Sequence, residues 1–201
     1  MNKVQSMFGR HFSTAAGQEI EQATNLSDSN WNNREEKTSQ FTRVCRTIDS
    51  YSDGAKDAIK AFRKRLSGNK NFSQVELSVS LLEFCVKHLG VNFHLLIGRK
   101  DFVGDVLLSL LSSKSQYPSN IKQKVLGIIK MLAETYKHSN AEMSDVIAIY
   151  NDLLDQRYEF PKTNKLKVSL SHNEQSSSTR TNHSFPPVQP SMSPKGQTFY
   201  S

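Results

Sequence analysis

The stretch from residue 68 to residue 98 constrains the fold of this chain more than any other. Between residues 72 and 89 its apolar side chains spread around a helical wheel and do not keep to one stripe. A helix that is apolar on nearly all sides needs other helices around it. The stretch therefore predicts a central helix on which the rest of the chain packs; its apolar residues are Phe72, Val75, Leu77, Val79, Leu81, Leu82, Phe84, Cys85, Val86 and Leu89.

Both ends of this central helix carry helix-boundary signals. Asn71 or Ser73 can cap its start with a side-chain oxygen, and Lys87 and His88 suit the negative end of the helix dipole. Gly90 fits the left-handed residue that often ends a helix. Polar side chains inside the stretch argue against a membrane span; they include Gln74, Glu76 and Glu83.

Helical spacing recurs on both sides of the central helix. No segment alternates with a period of two for long enough to predict a strand. We predict further helices over residues 17–24, 39–49, 53–66, 92–97, 101–111 and 118–136, and a last one that begins at Asn140 or Ser144. The chain is therefore expected to be all-α, with about eight helices.

The two ends of the chain differ in composition from the middle. Residues 162–201 carry five Lys or Arg and one acid, and thus supply +4 of the net charge of +7. This basic, Ser- and Pro-rich tail has almost no aliphatic residues and is predicted to be disordered. Residues 1–16 superficially suit a mitochondrial presequence, but we interpret them as a flexible leader. No motif typical of a nucleic-acid binder occurs.

The sequence contains no recognisable catalytic or metal site. Cys45 and Cys85 lie in apolar helical patterns and are expected to be reduced core residues. His88 and His94 are six positions apart, a poor spacing for one helical face, and no phosphate-binding glycine loop is present. His94 lies in an apolar run and is expected to be a hydrogen-bonded structural residue. We therefore expect no enzyme, no metal and no cofactor.

Several blocks of the sequence, in the right order, resemble the VHS domain of endosomal sorting adaptors, and within it the target-of-Myb branch. They are GNKNF from residue 68, LLEFCVKHLG from 81, NFHLLIG from 92, DFV from 101 and YNDLLDQRYEFP from 150. The resemblance implies a right-handed superhelix over residues 17–161. It also implies a non-enzymatic adaptor in endosomal or post-Golgi vesicular protein transport. The family normally continues into a GAT domain, which does not follow here.

The resemblance further implies weak binding of ubiquitin or ubiquitinated cargo. In the family this surface begins at a Trp that opens the second helix and includes the neighbouring end of the fourth helix. Trp31 matches that Trp, and Lys87 and His88 occupy the corresponding end. An exposed Trp offers a large apolar face with one polar group. The alternative is that Trp31 packs onto the first helix.

The segment after Trp31 departs from the family pattern by an insertion of about seven residues. If it were helical, it would turn the chain by about 700°, close to two full turns, and both of its ends would keep their faces. The inserted NNREEKTSQ is wholly polar, so we expect a loop or a frayed turn and an ordered helix only from about Ser39 to Asp49. Glu35 stands where the family has an apolar residue, so this copy of the ubiquitin site departs from the family pattern one turn after Trp31.

A basic stripe on the third helix suggests a second surface. Related superhelical domains bind phosphoinositides through such clusters, and each cation near an anionic membrane contributes about 1 kcal/mol. The alternative is a solvated helix face, since Asp53 and Asp57 lie nearby. The stripe consists of Lys56, Lys60, Arg63 and Lys64, joined by Arg65 and Lys70.

Taken together, these patterns predict a monomeric protein that works through its surfaces. Its expected partners are ubiquitin or ubiquitinated cargo, or else phosphoinositide membranes, with no nucleic acid. We expect it to be cytoplasmic and peripheral on endosomal or Golgi membranes.

Overall fold

Eight α-helices follow one another in the part of the chain that the structure describes, and that part contains no strand. The first five are α1 (Ala15–Ala23), α2 (Arg34–Asp49), α3 (Gly54–Leu66), α4 (Phe72–His88) and α5 (Val91–Gly98). Helix α6 joins Lys100–Phe102, a π-helical segment Val103–Leu107, and Leu108–Leu111. Helix α7 (Ser119–Tyr136) is followed by a short 3₁₀ helix (Ala141–Met143) and by α8 (Ser144–Asp155).

The computed structural model describes residues 14–25, 34–112, 114, 116–138 and 141–162. All of them belong to one compact unit. Most of the predicted leader, nearly all of the predicted tail, Trp31, and the possible start of the last helix at Asn140 lie outside the described residues.

Helix α4 lies in the middle of this unit, as its composition predicts. It packs against α2, α3 and α7, while α1 packs on α2 and α3, and α7 packs on α8. This packing removes apolar side chains from water, which is the main favourable contribution to folding. The prediction of a helix covered on most sides is confirmed: its buried residues are Val75, Leu77, Ser78, Val79, Leu81, Leu82, Cys85 and Val86.

The start of α4 follows the prediction, but its end does not. The Asn71 side chain caps α4 by accepting a hydrogen bond from the backbone nitrogen of Gln74 at 3.2 Å. Gly90 was expected to adopt a left-handed conformation, yet its φ is −88°. The next helix begins at Val91, so Gly90 serves as an extended connection into α5.

Helix α2 begins earlier than the sequence predicts. We expected a loop or frayed turn up to about Ser39, but the helix is already formed at Arg34. Glu35 and Glu36 lie in its first turn, where negative charge is favourable beside the free backbone N–H groups. The Thr38 hydroxyl donates to the Arg34 carbonyl at 2.9 Å, inside the helix. The described part of the polar insertion is therefore helical.

Two large apolar side chains are exposed at the edges of the core. The Phe72 side chain, in the first turn of α4, is 41% exposed and meets the Tyr117 ring edge-to-face, at 5.4 Å between centroids. Leu154, near the end of α8, is 46% exposed. Both lie near helix ends, where fewer neighbouring elements remain to cover a side chain.

His94 is a buried structural residue, as expected. Its Nε2 donates to the Val86 carbonyl at 2.7 Å, and its Nδ1 accepts from the Tyr136 hydroxyl at 2.6 Å. These partners fix the neutral tautomer and join α5 to α4 and α7. Burial lowers the pKa of His94 below its usual value of 6.5.

This burial predicts a pH-dependent stability. Because the folded-state pKa is lowered, the unfolded state takes up the proton first as the pH falls below about 6.5. The free energy of unfolding should then decrease, by up to about 1.4 kcal/mol per pH unit, until the folded-state pKa is reached. Urea unfolding at several pH values from about 7.5 down to about 5 measures the slope.

The control compares two histidine variants. His94→Gln should lower the stability at neutral pH and flatten the slope, whereas His138→Gln, at an exposed position after α7, should keep the wild-type slope. An unchanged slope in His94→Gln would contradict this account.

Candidate binding surface on helices 2 and 4

Helices α2 and α4 lie side by side with aromatic contacts between them. The rings of Phe41 on α2 and Phe84 on α4 meet edge-to-face, with 5.6 Å between centroids. Further along, the sulfur atoms of Cys45 and Cys85 are 3.7 Å apart in the core. The two helices are therefore in contact along their length, at Phe41 with Phe84 and at Cys45 with Cys85.

A row of stacked groups extends across this surface towards solvent. The Lys37 ammonium lies 5.6 Å from the centre of the Phe41 ring. On α4, the exposed His88 ring stacks on Phe84 with 3.9 Å between centroids and 20° between planes. We call Lys37, Phe41, Phe84 and His88 the aromatic row. Its exposed member is the His88 ring, while Lys37 and Phe84 are half-buried and Phe41 lies beneath Lys37.

The aromatic row is held in place by hydrogen bonds and burial. His88 Nδ1 donates to the Phe84 carbonyl at 2.8 Å, one turn earlier in α4. Phe41 is 4% exposed, so its ring is anchored in the core. Burial, together with the nearby Lys124, lowers the pKa of Lys37. The hydrogen bond of His88 and the burial of Phe41 thus hold these two rings in position.

The predicted ubiquitin-binding residues are placed only in part. Lys87 and His88 are exposed in the last turn of α4, as expected, and Lys87 forms an ion pair with Glu83. Trp31 lies outside the described residues. The end of α4 that carries Lys87 and His88 follows the contacts of Phe84 with Phe41 and of Cys85 with Cys45, so it lies beside the second half of α2.

Sequence reasoning missed the rest of the aromatic row. Phe84 was assigned to the core, and it is half-buried with one face under His88. Lys37 was placed in a loop, where it could not lie over Phe41. The signal that could have found both is the four-residue spacing of Lys37 and Phe41, and of Phe84 and His88, on two helices.

The basic stripe on α3 is paired within the chain at several positions. Lys56 contacts Asp53 at 3.0 Å, and Lys60 contacts Asp57 at 3.4 Å. Such exposed pairs contribute little to stability and leave the ammonium groups accessible. The Lys60 side chain is 77% exposed.

The two arginines of the predicted phosphoinositide site make structural contacts. Arg63 donates to the Asp101 carbonyl at 2.7 Å and contacts its carboxylate at 3.1 Å, which joins α3 to α6. Arg65 donates to the Thr24 hydroxyl at 2.7 Å and to the Glu21 carbonyl at 2.9 Å. Arg65 therefore satisfies one backbone carbonyl and one hydroxyl at the end of α1. The accessible members of the stripe are Lys56, Lys60, Lys64 and Lys70.

The structure places no metal centre in its described residues. No group of three or more His, Cys, Asp or Glu in residues 14–25, 34–112, 114, 116–138 and 141–162 is arranged to hold a metal ion. Within the same ranges, none of the helices has the length and hydropathy needed to cross a bilayer.

Comparisons with known proteins agree with this architecture. The profile of the VHS domain matches residues 10–157. TOM1-like protein 2 of Mus musculus is 35% identical over 195 residues, which are 96% of this chain and 36% of that protein. The Target of Myb1 membrane trafficking protein of Gallus gallus is 37% identical over 166 residues, covering 83% of this chain and 31% of its own. The chain thus spans about a third of the length of these relatives.

A solved structure supports the fold. The tandem VHS and FYVE domains of Hrs, a protein involved in membrane trafficking and signal transduction, match with a TM-score of 0.59 at 20% sequence identity. The match covers 79% of this chain and 67% of that one. The predicted all-α, right-handed superhelix of about eight helices is confirmed. On its sequence and its fold, the chain belongs to the VHS domain family, and its relatives are the target-of-Myb proteins.

Proposed function

We propose that this chain is a non-enzymatic recognition module of a membrane-trafficking adaptor, and that it binds ubiquitin or ubiquitinated cargo through the surface of α2 and α4. The names of its relatives support the trafficking part of the proposal, since one is called a membrane trafficking protein. The proposed location is the cytoplasm, at the surface of endosomal or Golgi membranes.

The observation that carries the ubiquitin proposal is the stack of His88 on Phe84 beside Lys87. Ubiquitin presents a small hydrophobic patch, and a flat aromatic face with a cation at its edge suits such a surface. The His88 ring is held by its hydrogen bond to the Phe84 carbonyl at 2.8 Å, so little side-chain entropy is lost on binding. Trp31, which precedes α2, is proposed to extend the same surface.

Titration of the isotope-labelled protein with ubiquitin, followed by amide shifts in NMR, tests the proposal. At millimolar ubiquitin we expect shifts in the last turn of α4 and the first turns of α2. The double variant Lys87→Ala, His88→Ala should weaken binding by about fivefold or more, because it removes the stacked ring and the cation. Trp31→Ala should weaken it as well.

The chain provides a closely matched control. The same Lys-His pair recurs as Lys137 and His138, both exposed, at the end of α7. Changing that pair to alanine removes the same groups from another helix end and should leave ubiquitin binding unchanged. Absence of shifts around α2 and α4 at millimolar ubiquitin, or equal losses in both double variants, would overturn the proposal.

An alternative is a peripheral membrane module that binds phosphoinositides through the basic stripe. The observation that favours it is the exposure of Lys56 and Lys60, whose side chains are 65% and 77% accessible despite their ion pairs. Attraction to an anionic surface can replace such weak pairs. Because Arg63 and Arg65 hold α6 and α1, the lysines would make the lipid contacts.

Liposome flotation separates the two functions. If the membrane proposal is right, the protein should float with liposomes that contain phosphoinositides, and salt should weaken the association. Lys60→Glu with Lys64→Glu should abolish flotation while ubiquitin binding stays intact. Flotation that survives both changes would contradict a role for the stripe.

A further inference from the structure

A cavity lies away from the surface of α2 and α4. It is about 490 Å³ in volume and is formed where the start of α3 meets α5 and the 3₁₀ helix. Its apolar lining comes from Ala55, Leu95 and Leu96. Val91, one turn before Leu95 on α5, is 45% exposed and continues the apolar surface outside it. This volume is typical of sites that take a small ligand or a short peptide segment.

The polar lining combines two cations with one acid. Lys56 comes from α3 and Arg99 follows α5, while Glu142 comes from the 3₁₀ helix. Asn92 and Ser52 add an amide and a hydroxyl, which can bond to a peptide backbone. Aliphatic contacts and positive charge therefore occur together in one site.

Both cations are held only weakly by partners within the chain. Lys56 pairs with Asp53, and both side chains are mostly exposed. The Arg99 Nε is 3.7 Å from an oxygen of Asp101, whose other oxygen is 3.1 Å from Arg63. Exposed pairs of this kind contribute about 0–1 kcal/mol, so a ligand carboxylate can take their place at little cost.

The walls of the cavity are fixed by close packing. A Cβ atom on Gly98 would lie 2.6 Å from the sulfur of Met143, so α5 and the 3₁₀ helix approach as closely as glycine allows. The Asp145 carboxylate accepts a hydrogen bond from the Lys100 backbone nitrogen at 2.9 Å, which ties the α5–α6 junction to the start of α8. The backbone positions that carry Arg99 and Glu142 are thus fixed before a ligand binds, and only their side chains need ordering.

We propose that this cavity binds a peptide segment of a partner protein in which an aliphatic side chain lies close to a single carboxylate. The aliphatic group contacts Leu95 and Leu96, and the carboxylate is bound by Arg99 and Lys56. Glu142 disfavours ligands with several negative charges, such as phosphate groups, because it adds a like charge to the site. This site goes beyond ubiquitin or lipid binding and uses residues of α3 and α5.

Selection from a library of random displayed peptides tests the proposal. The wild-type protein is the target, and the variant Leu96→Asp, which places a negative charge in the apolar lining, removes peptides that bind elsewhere. We expect the enriched peptides to carry Asp or Glu within about two residues of Leu, Ile or Val, the spacing that a site of this volume spans. No enrichment over the Leu96→Asp variant, or enriched peptides without an acid, would overturn the proposal.

Affinities of one enriched peptide, measured by calorimetry, assign the roles of the charges. Arg99→Ala should weaken binding by about fivefold or more, and Glu142→Gln should strengthen it by a smaller factor. Lys100→Ala, at an exposed position outside the lining, is the control and should have no effect. Thermal unfolding of each variant checks that the fold is kept.

Two further outcomes count against the site. Peptide binding that is unchanged in Arg99→Ala would show that Arg99 does not bind the carboxylate. Tighter binding when the acid of the peptide is replaced by phosphoserine would show that the site prefers a phosphate. Ubiquitin titrations on Arg99→Ala keep the two proposals apart, because loss of peptide binding should leave the shifts on α2 and α4 unchanged.

Discussion

Gly54→Ala is expected to lower the free energy of unfolding by about 3 kcal/mol or more. Gly54 is the first residue of α3, and a Cβ atom there would lie 2.0 Å from the backbone oxygen of Ile48. That oxygen belongs to the last turn of α2, whose Ile48 side chain is buried, so it cannot move aside without shifting α2. Urea unfolding followed by circular dichroism measures the loss.

Gly104→Ala is the matched control. Gly104 lies within α6, and the nearest atom to an added Cβ is the Lys100 Cγ at 3.6 Å, an ordinary contact. Alanine is more favourable than glycine within a helix by up to about 1 kcal/mol. We therefore expect this variant to be as stable as the wild type or slightly more stable. A Gly54→Ala protein with wild-type stability would show that α2 and α3 are not in such close contact.

Leu81→Ala and Leu82→Ala should each cost about 3 kcal/mol. Both side chains on α4 have no exposed surface, and neighbouring residues on a helix point about 100° apart. Each change removes buried methyl groups and leaves a cavity that the surrounding helices fill only in part. Losses of similar size at two adjacent positions are expected only for a helix that is covered over a wide arc.

Phe72→Ala provides the comparison within the same helix. Its ring is larger than a leucine side chain, but it is 41% exposed and packs against the edge of Tyr117. We expect a cost of about 1 kcal/mol, mainly from the lost ring contact. The interpretation of α4 as the covered central helix would fail if Phe72→Ala were more harmful than Leu82→Ala.

Hydrophobic spacing was enough to predict most of the helices. The apolar residues of α7 that follow helical spacing, such as Ile121, Val125 and Ile129, are buried, and the cap at Asn71 is present. Helix positions and caps depend on residues that are close in sequence, so the spacing of apolar residues along the chain predicts them directly. The resemblance to VHS domains then supplied the superhelical arrangement, which spacing alone does not determine.

The errors arose where tertiary contacts or chain connections decide the structure. The polar segment before Ser39 was expected to be a loop because few of its residues can be buried, yet Lys37 lies over the Phe41 ring as part of α2. Gly90 was expected to end α4 in a left-handed conformation, but α5 follows directly at Val91. In both cases the neighbouring element decides the outcome.

The candidate site was predictable only in its exposed charges. Lys87 and His88 were found because the resemblance points to the end of α4. The stack of His88 on Phe84 depends on a rotamer that no sequence pattern specifies. Arg65 was counted among lipid-binding cations, and its bonds to the end of α1 connect residues far apart in the sequence.

The neighbouring thiols of Cys45 and Cys85 have a practical consequence. Both are free and buried, and burial raises the pKa of Cys85 well above its usual value, so alkylating reagents meet little thiolate in the native protein. Labelling must wait until α2 separates from α4, since each helix carries one of the two sulfur atoms. The rate of alkylation therefore reports how often the centre of the molecule opens, without any engineered probe.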